Sequence, residues 1–151
     1  MPLIIDGNNA IGHWGIEESA FIRLLGTYCQ AHHRHIELFF DGERDSPVMN
    51  PATGLLKIRY SGHGYSADDA ILQFISMIQD KSNWQLVTDD RELQREASWQ
   101  HLPHMKVEAL KKTMMVQMAK DKAVETAGPD KPGYEADEDG MAAAMLRGKK
   151  T

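Results

Sequence analysis

A chain of 151 residues, 42% of them apolar and with a formal net charge of −5, has room for one domain around a single core. No apolar run is long enough to cross a bilayer and no N-terminal signal pattern is present, so a cytoplasmic location is expected. The single cysteine, Cys29, excludes an internal disulfide and cannot by itself build a zinc site. The negative balance argues against a polyanionic partner. Six of the acids, however, namely Asp6, Asp41, Asp68, Asp69, Asp89 and Asp90, fall at the ends of predicted elements. With these set aside, the remaining acids and bases of residues 1 to 105 balance, and cations bound to the six would remove the objection.

The chain opens on LIIDGNNAIGHW, an apolar run that stops at Asp6-Gly7-Asn8-Asn9 and reads as a buried strand delivering polar groups into a crevice. Apolar residues at helical spacing from Ile16 to Tyr28 predict a first helix over about Glu17 to His32. The HHRH tract that follows has the look of a metal tract but reads as a solvated helix end. A β-rich run, Ile36 to Phe40, ends again in Asp-Gly, and SPVMNPATG after it is a loop. A short strand near Leu55 to Tyr60, a helix opening at Ser66, a strand ending in TDD and a further helix complete the repeated form. A last strand near MKVEALKK and a helix from about Thr113 to Ala123 close the folded part, residues 1–124. Proline, glycine and acids dominate thereafter, so residues 125–151 read as a mobile tail with a short terminal helix, a candidate segment for a protein partner or a homodimer contact. The order of elements points to an α/β fold with a largely parallel, doubly wound sheet flanked by helices.

Parallel strands present their C-terminal ends on one edge, so Asp6, Asp41 and either Asp89 or Asp90 are expected to converge although far apart in sequence. Ionised carboxylates share a small site only when cations compensate them, and magnesium or manganese matches all-oxygen ligands. Two such ions about 4 Å apart would hold the attacking and leaving oxygens of a phosphodiester in line. No Walker-type loop, no GxGxxG after the first strand and no GxSxG turn is present. In SADD, Ser66 and Asp69 fit a variant capping box; on a helical wheel Asp68 borders the apolar arc of Ile71, Phe74, Ile75 and Ile78, while Asp69 points away. Asp68 is therefore the expected ligand and Asp69 the cap. In TDDRE the residues from Asp89 to Glu92 are candidates to cap their helix, and Asp90 is preferred over Asp89 as the acid facing the site. Capping accounts for any one of these acids, and an Asp-Gly turn for Asp6 or Asp41, but neither accounts well for the whole set.

IIDGNNAIG, LFFDG, YSADDAI and LVTDDREL, in that order and spacing, resemble the PIN-like nucleases and, among them, the NYN type related to the bacterial YacP-like ribonucleases. The resemblance spans about Leu3 to Leu110 and implies a PIN-like domain that cleaves RNA endonucleolytically with magnesium or manganese, leaving a 5′-phosphate. It also implies roles: Asp6 as the first-strand metal acid, Asn9 as the asparagine of the DGxN pattern, Asp41 as the second-strand acid, Asp68 as the helix acid, and Asp90 as the acid of the TxD motif. Asp69 stands where a glutamate often follows. Asn8 stands where an aromatic residue is frequent and Ser66 replaces a threonine. Asn9 would hydrogen-bond a metal-bound water or a neighbouring carboxylate without adding charge.

Candidate phosphate contacts are Lys57, Arg59, Arg91 and Arg95, with Trp14 and Tyr65 as candidate base-stacking groups. His13 and His63 neighbour the site in sequence, but two-metal chemistry does not need them. The expected activity is thus metal-dependent hydrolysis of single-stranded RNA, with ribosome-associated mRNA as one candidate substrate and no membrane partner. Its rivals are a non-catalytic RNA- or ribosome-binding module on the same fold and, third, a small-molecule phosphohydrolase, disfavoured because DGNN lacks the second acid of a DxD motif. A toxin-like role with a neutralising partner is also compatible with the resemblance.

Overall fold

The computed structural model describes residues 1–42 and 54–126. Five strands, β1 (Leu3–Asp6), β2 (Ile36–Phe40), β3 (Leu56–Tyr60), β4 (Gln85–Val87) and β5 (His104–Met105), form one sheet in the order β3-β2-β1-β4-β5, and every pairing is parallel. The expected sheet, mostly parallel and doubly wound, is therefore parallel throughout its described strands. Every residue of β1 and β2 is buried, as strands covered on both faces require, whereas the edge strand β3 alternates.

Helices α1 (Gly7–Trp14) and α2 (Glu18–His32) lie between β1 and β2, α3 (Ala67–Met77) between β3 and β4, and α4 (Arg91–Trp99) between β4 and β5, while α5 (Val107–Thr126) follows β5. One face of the sheet packs Ile4, Phe39 and Leu86 against Ala67, Ile71 and Ile75 of α3 and Leu93 and Ala97 of α4. The alternate residues Leu3, Ile5, Leu38 and Phe40 are buried too, as are Phe21, Leu25, Tyr28 and Cys29 of α2. The tyrosine at the end of β3, Tyr60, stacks on Phe40 and donates its hydroxyl to Glu18 of α2. Cys29 is a buried residue of α2.

Two differences from the sequence reading matter for the site. The stretch after Asp6 is no loop: α1 starts at Gly7, directly off β1, and Gly15 ends it in the left-handed conformation. The HHRH tract divides as well. His33 caps α2 with φ of 49°, while His35 bonds the buried Glu37 at 2.6 Å. At the other end the strand expected near MKVEALKK is only His104–Met105, and α5 begins at Val107, ahead of the expected start near Thr113, and continues to Thr126 rather than Ala123. The chain divides into two units, Met1–Met114 and Met115–Thr151. The first carries the sheet; the second is described only as the remainder of α5, with Met115 and Val116 exposed. The tail expected from residue 127 onward, with its terminal helix, lies outside the described residues. No described helix is long and apolar enough to cross a membrane.

Candidate metal centre and its surroundings

Strand order reverses direction at β1: the chain runs outward through β2 and β3, then returns to place β4 on the other side of β1. In open α/β sheets this switch point leaves a crevice beyond the C-terminal strand ends. Asp6 closes β1 there, Thr88-Asp89-Asp90 follow β4, and Asp41 follows β2. Gly7 makes the turn feasible, because a Cβ at that position would stand 2.5 Å from the Phe40 ring and 2.6 Å from the Phe39 carbonyl oxygen.

Asp6 is 5% exposed and occupies the N-cap position of α1 without spending its carboxylate on a cap hydrogen bond. The buried Thr88 hydroxyl donates to its Oδ2 at 3.0 Å and in turn accepts from the Asp90 backbone N–H at 3.1 Å. Burial pushes the Asp6 pKa up, opposed by the Thr88 hydroxyl and the nearby Asn9 N–H and reinforced by the charges of Asp90 and Asp41.

Asp68, in the first turn of α3, is raised to about 6, first by burial, then by the charges of Asp6 and Asp90, by the approach of its carboxyl to that of Asp90, and by Asp41. Its neighbour Asp69 completes the expected capping box: the Asp69 N–H reaches Ser66 Oγ at 3.1 Å, and the Ser66 N–H reaches Asp69 Oδ2 at 3.2 Å. Asp41 accepts from the Ala67 N–H at 2.5 Å, tying the end of β2 to the start of α3. These contacts bring Asp6, Asp41, Asp68 and Asp90 into one electrostatic neighbourhood.

The pair in TDDRE divides its work differently from the expectation. Asp90 itself caps α4, its Oδ1 accepting from Glu92 N–H at 2.8 Å and Leu93 N–H at 3.2 Å, and it is also the member of the pair whose charge acts on Asp6 and Asp68. Asp89 turns away: its Oδ1 accepts from the Val107 N–H at the start of α5, and its Oδ2 lies 3.6 Å from His13 Nδ1. The opposite ring nitrogen of His13 meets Glu108 at 3.1 Å.

Both asparagines serve as clamps. Asn8 Oδ1 accepts from the Asp41 N–H at 2.6 Å, and Asn9 Oδ1 from the Asp89 N–H at 2.8 Å, so α1 staples the loops after β2 and β4 around Asp6. Thr88 and Asn8 carry no role in the sequence reading. The signals for Thr88 were a hydroxyl at the end of an otherwise apolar run and its place as the threonine of the TxD motif.

The candidate phosphate contacts separate. Lys57 is exposed near the start of β3, at the sheet edge opposite the carboxylates. Arg59 gives its Nε to Glu37 at 2.6 Å and lies 5.1 Å from the Phe74 ring centroid. Arg91 is exposed at the start of α4. Arg95 alone lines a cavity of about 400 Å³ that also contains Asp68. Trp14 is a packing residue, edge-on to Phe21 with its Nε1 donating to the Val107 carbonyl, while Tyr65 is 68% exposed.

The donor set is carboxylate oxygen throughout, which suits a hard divalent cation, and a positive charge there would offset the repulsion that lifts Asp68. Among the described residues no three His, Cys, Asp or Glu side chains stand close enough to grip one ion, so the arrangement is an open one.

The family profile of the YacP-like NYN domain matches residues 3–141. Among solved structures the fold is similar to that of Rae1 (YacP) from Bacillus subtilis in two crystal structures. The first, a point mutant, gives a TM-score of 0.68 at 15% identity, with 81% of this chain and 79% of that chain covered. The second gives 0.66 at 14% identity, with 83% and 80% covered. A search of curated proteins found no match. With a profile match over nearly its whole length and the all-parallel PIN-like sheet to go with it, the chain belongs to the YacP-like NYN domain family.

Proposed function

We propose that the protein is an endoribonuclease that hydrolyses phosphodiester bonds in single-stranded RNA with magnesium or manganese. Asp6, Asp68 and Asp90 are its principal ligands and Asp41 supports them. The observation that carries this reading is the gathering of Asp6, Asp41, Asp68 and Asp90 beyond the C-terminal strand ends, where burial first and then the charges of Asp6, Asp90 and Asp41 raise Asp68 to about 6. Acids from four separate places in the chain have been folded together against their own repulsion, at the crevice where this sheet type binds ligands. Family membership supports the same chemistry.

A divalent cation held by these acids would offset the negative charge that develops on the phosphoryl and leaving oxygens and lower the pKa of the attacking water. The chain's own residues do the rest. Thr88 holds Asp6 in one orientation and keeps the following N–H directed back to it. Asn8 and Asn9 fix the two flanking loops, so Asp41 and Asp90 keep their places relative to Asp6. Burial of Asp6 keeps bulk water from one side of the site. Asn9 accepts the Asp89 N–H at its Oδ1, which leaves its Nδ2 to donate to a metal-bound water or a neighbouring carboxylate, the role the resemblance implies for it.

A second reading, an RNA-binding module without catalysis, draws on the open arrangement of the acids. One experiment separates the two: labelled single-stranded RNA incubated with manganese and the wild-type protein, the Asp6→Asn and Asp68→Asn variants, and a chelator control. Cleavage that falls by more than about 100-fold in both variants, beyond the 10- to 100-fold typical of groups that only orient ligands, supports the nuclease. RNA binding by wild type without cleavage favours the module.

A further inference from the structure

The cavity that contains Asp68 runs between α3 and α4 and is lined further out by Glu92, Arg95, Glu96 and Trp99. Trp99 is 76% exposed and makes no ring contact among the described residues, although the same helix buries Leu93 and Ala97. A second cavity of about 430 Å³ on the far side shares Arg95 and Trp99, so both residues stand on a ridge between two hollows. An unpartnered indole beside an arginine, at the open end of a groove whose inner end is a candidate metal ligand, is a stacking platform with a cation next to it.

We propose that this α3/α4 groove is the subsite for one nucleotide flanking the scissile phosphate, its base stacked on Trp99 and its phosphate held by Arg95. The proposal rests on the nuclease reading and names where its single-stranded substrate lies. A groove holding Asp68, Asp69, Glu92 and Glu96 against one arginine is net negative, so a phosphate is held there only when the cation proposed at Asp68 acts together with Arg95. Asp68 belongs to the candidate metal centre, Asp69 is spent on the capping box, and Glu96 accepts from Gln100 Nε2 at 3.0 Å. Glu92 is left as an acceptor for an amino or imino group of the base, a pairing carboxylates make with cytosine in nucleic-acid grooves.

The alternative groove, between α3 and β3, is lined by Phe39, Arg59, Phe74 and Met77 and by no candidate carboxylate. Its arginine is committed to Glu37. Continuity with Asp68 therefore decides between the two.

The test titrates a fluorescein-labelled single-stranded RNA into the full chain, followed by anisotropy, for wild type, Trp99→Ala, Trp99→Phe and Met77→Ala, and measures cleavage with manganese alongside. Loss of one base stack predicts about 5- to 100-fold weaker binding for Trp99→Ala, a raised KM with little change in kcat, recovery in Trp99→Phe and no effect of Met77→Ala. Wild-type affinity in Trp99→Ala, or a loss confined to Met77→Ala, overturns the subsite and leaves the nuclease reading standing if the RNA is still cut. Binding without cleavage overturns the nuclease reading while the Trp99→Ala comparison still tests where the strand lies. Absence of binding by the wild-type chain overturns both.

Discussion

Two buried carboxylates sit on adjacent parallel strands and are served in opposite ways. Glu37 on β2, 3% exposed, is met by two basic groups, His35 Nε2 and Arg59 Nε, each at 2.6 Å. Asp6 on β1, 5% exposed, is met by a neutral hydroxyl and by the charges of three other acids. Folding neutralises the first and leaves the second in need of positive charge. A buried acid whose counter-charges come from its own chain reads as structure; one surrounded by further acids reads as a site awaiting a cation.

The contrast is sharpened most by removing what orients Asp6. Thr88→Val takes away a buried hydroxyl with little change of shape, and is predicted to cut manganese-dependent RNA cleavage by about 10- to 100-fold, with Thr88→Ser close to wild type. Melting curves recorded alongside separate this from simple unfolding.

On the other strand the expectation reverses. Arg59→Met leaves Glu37 buried with His35 as its remaining partner and should lower stability by about 1–3 kcal/mol, a figure held down because the Arg59 side chain is 46% exposed. Urea unfolding measures the loss, and cleavage under folded conditions should stay near wild type. Equal damage to cleavage would dissolve the distinction between the two regions.

The smallest effect is in pH. Asp68 takes up its proton more readily folded than unfolded, its pKa standing at about 6 against 3.8. Its contribution to the stability of the metal-free protein is therefore fully present below about pH 4 and is lost as pH rises through about 6. In chelator, Asp68→Asn should gain melting temperature relative to wild type across that window, with the difference levelling off above it. A difference that is flat with pH would show that neither burial nor the neighbouring acids raise the Asp68 pKa on folding.

Much of this arrangement was legible before any coordinates. Apolar runs ending in aspartate marked β1, β2 and β4, and the helical wheel at Ser66 separated Asp68 from its capping neighbour Asp69. α1 was not legible, because Gly7, Asn8 and Asn9 are poor helix formers; both asparagines are held by backbone groups dozens of residues away. The same reason hid the fates of Asp89, fixed by Val107 and His13, and of Arg59, fixed across the sheet by Glu37. Long-range partners leave no trace in local pattern. Thr88 was missed because a hydroxyl becomes informative only when its burial is known.

On the reading proposed above, the acids at the β1/β4 switch point bind a divalent cation. Titration of manganese into the full chain, with free ion followed by electron paramagnetic resonance, tests it without any RNA. The account predicts saturable binding by wild type, weakened about tenfold or more in Asp6→Asn and in Asp68→Asn and unchanged in Arg59→Met. Equal affinity in all four proteins, or no binding by wild type, would contradict it.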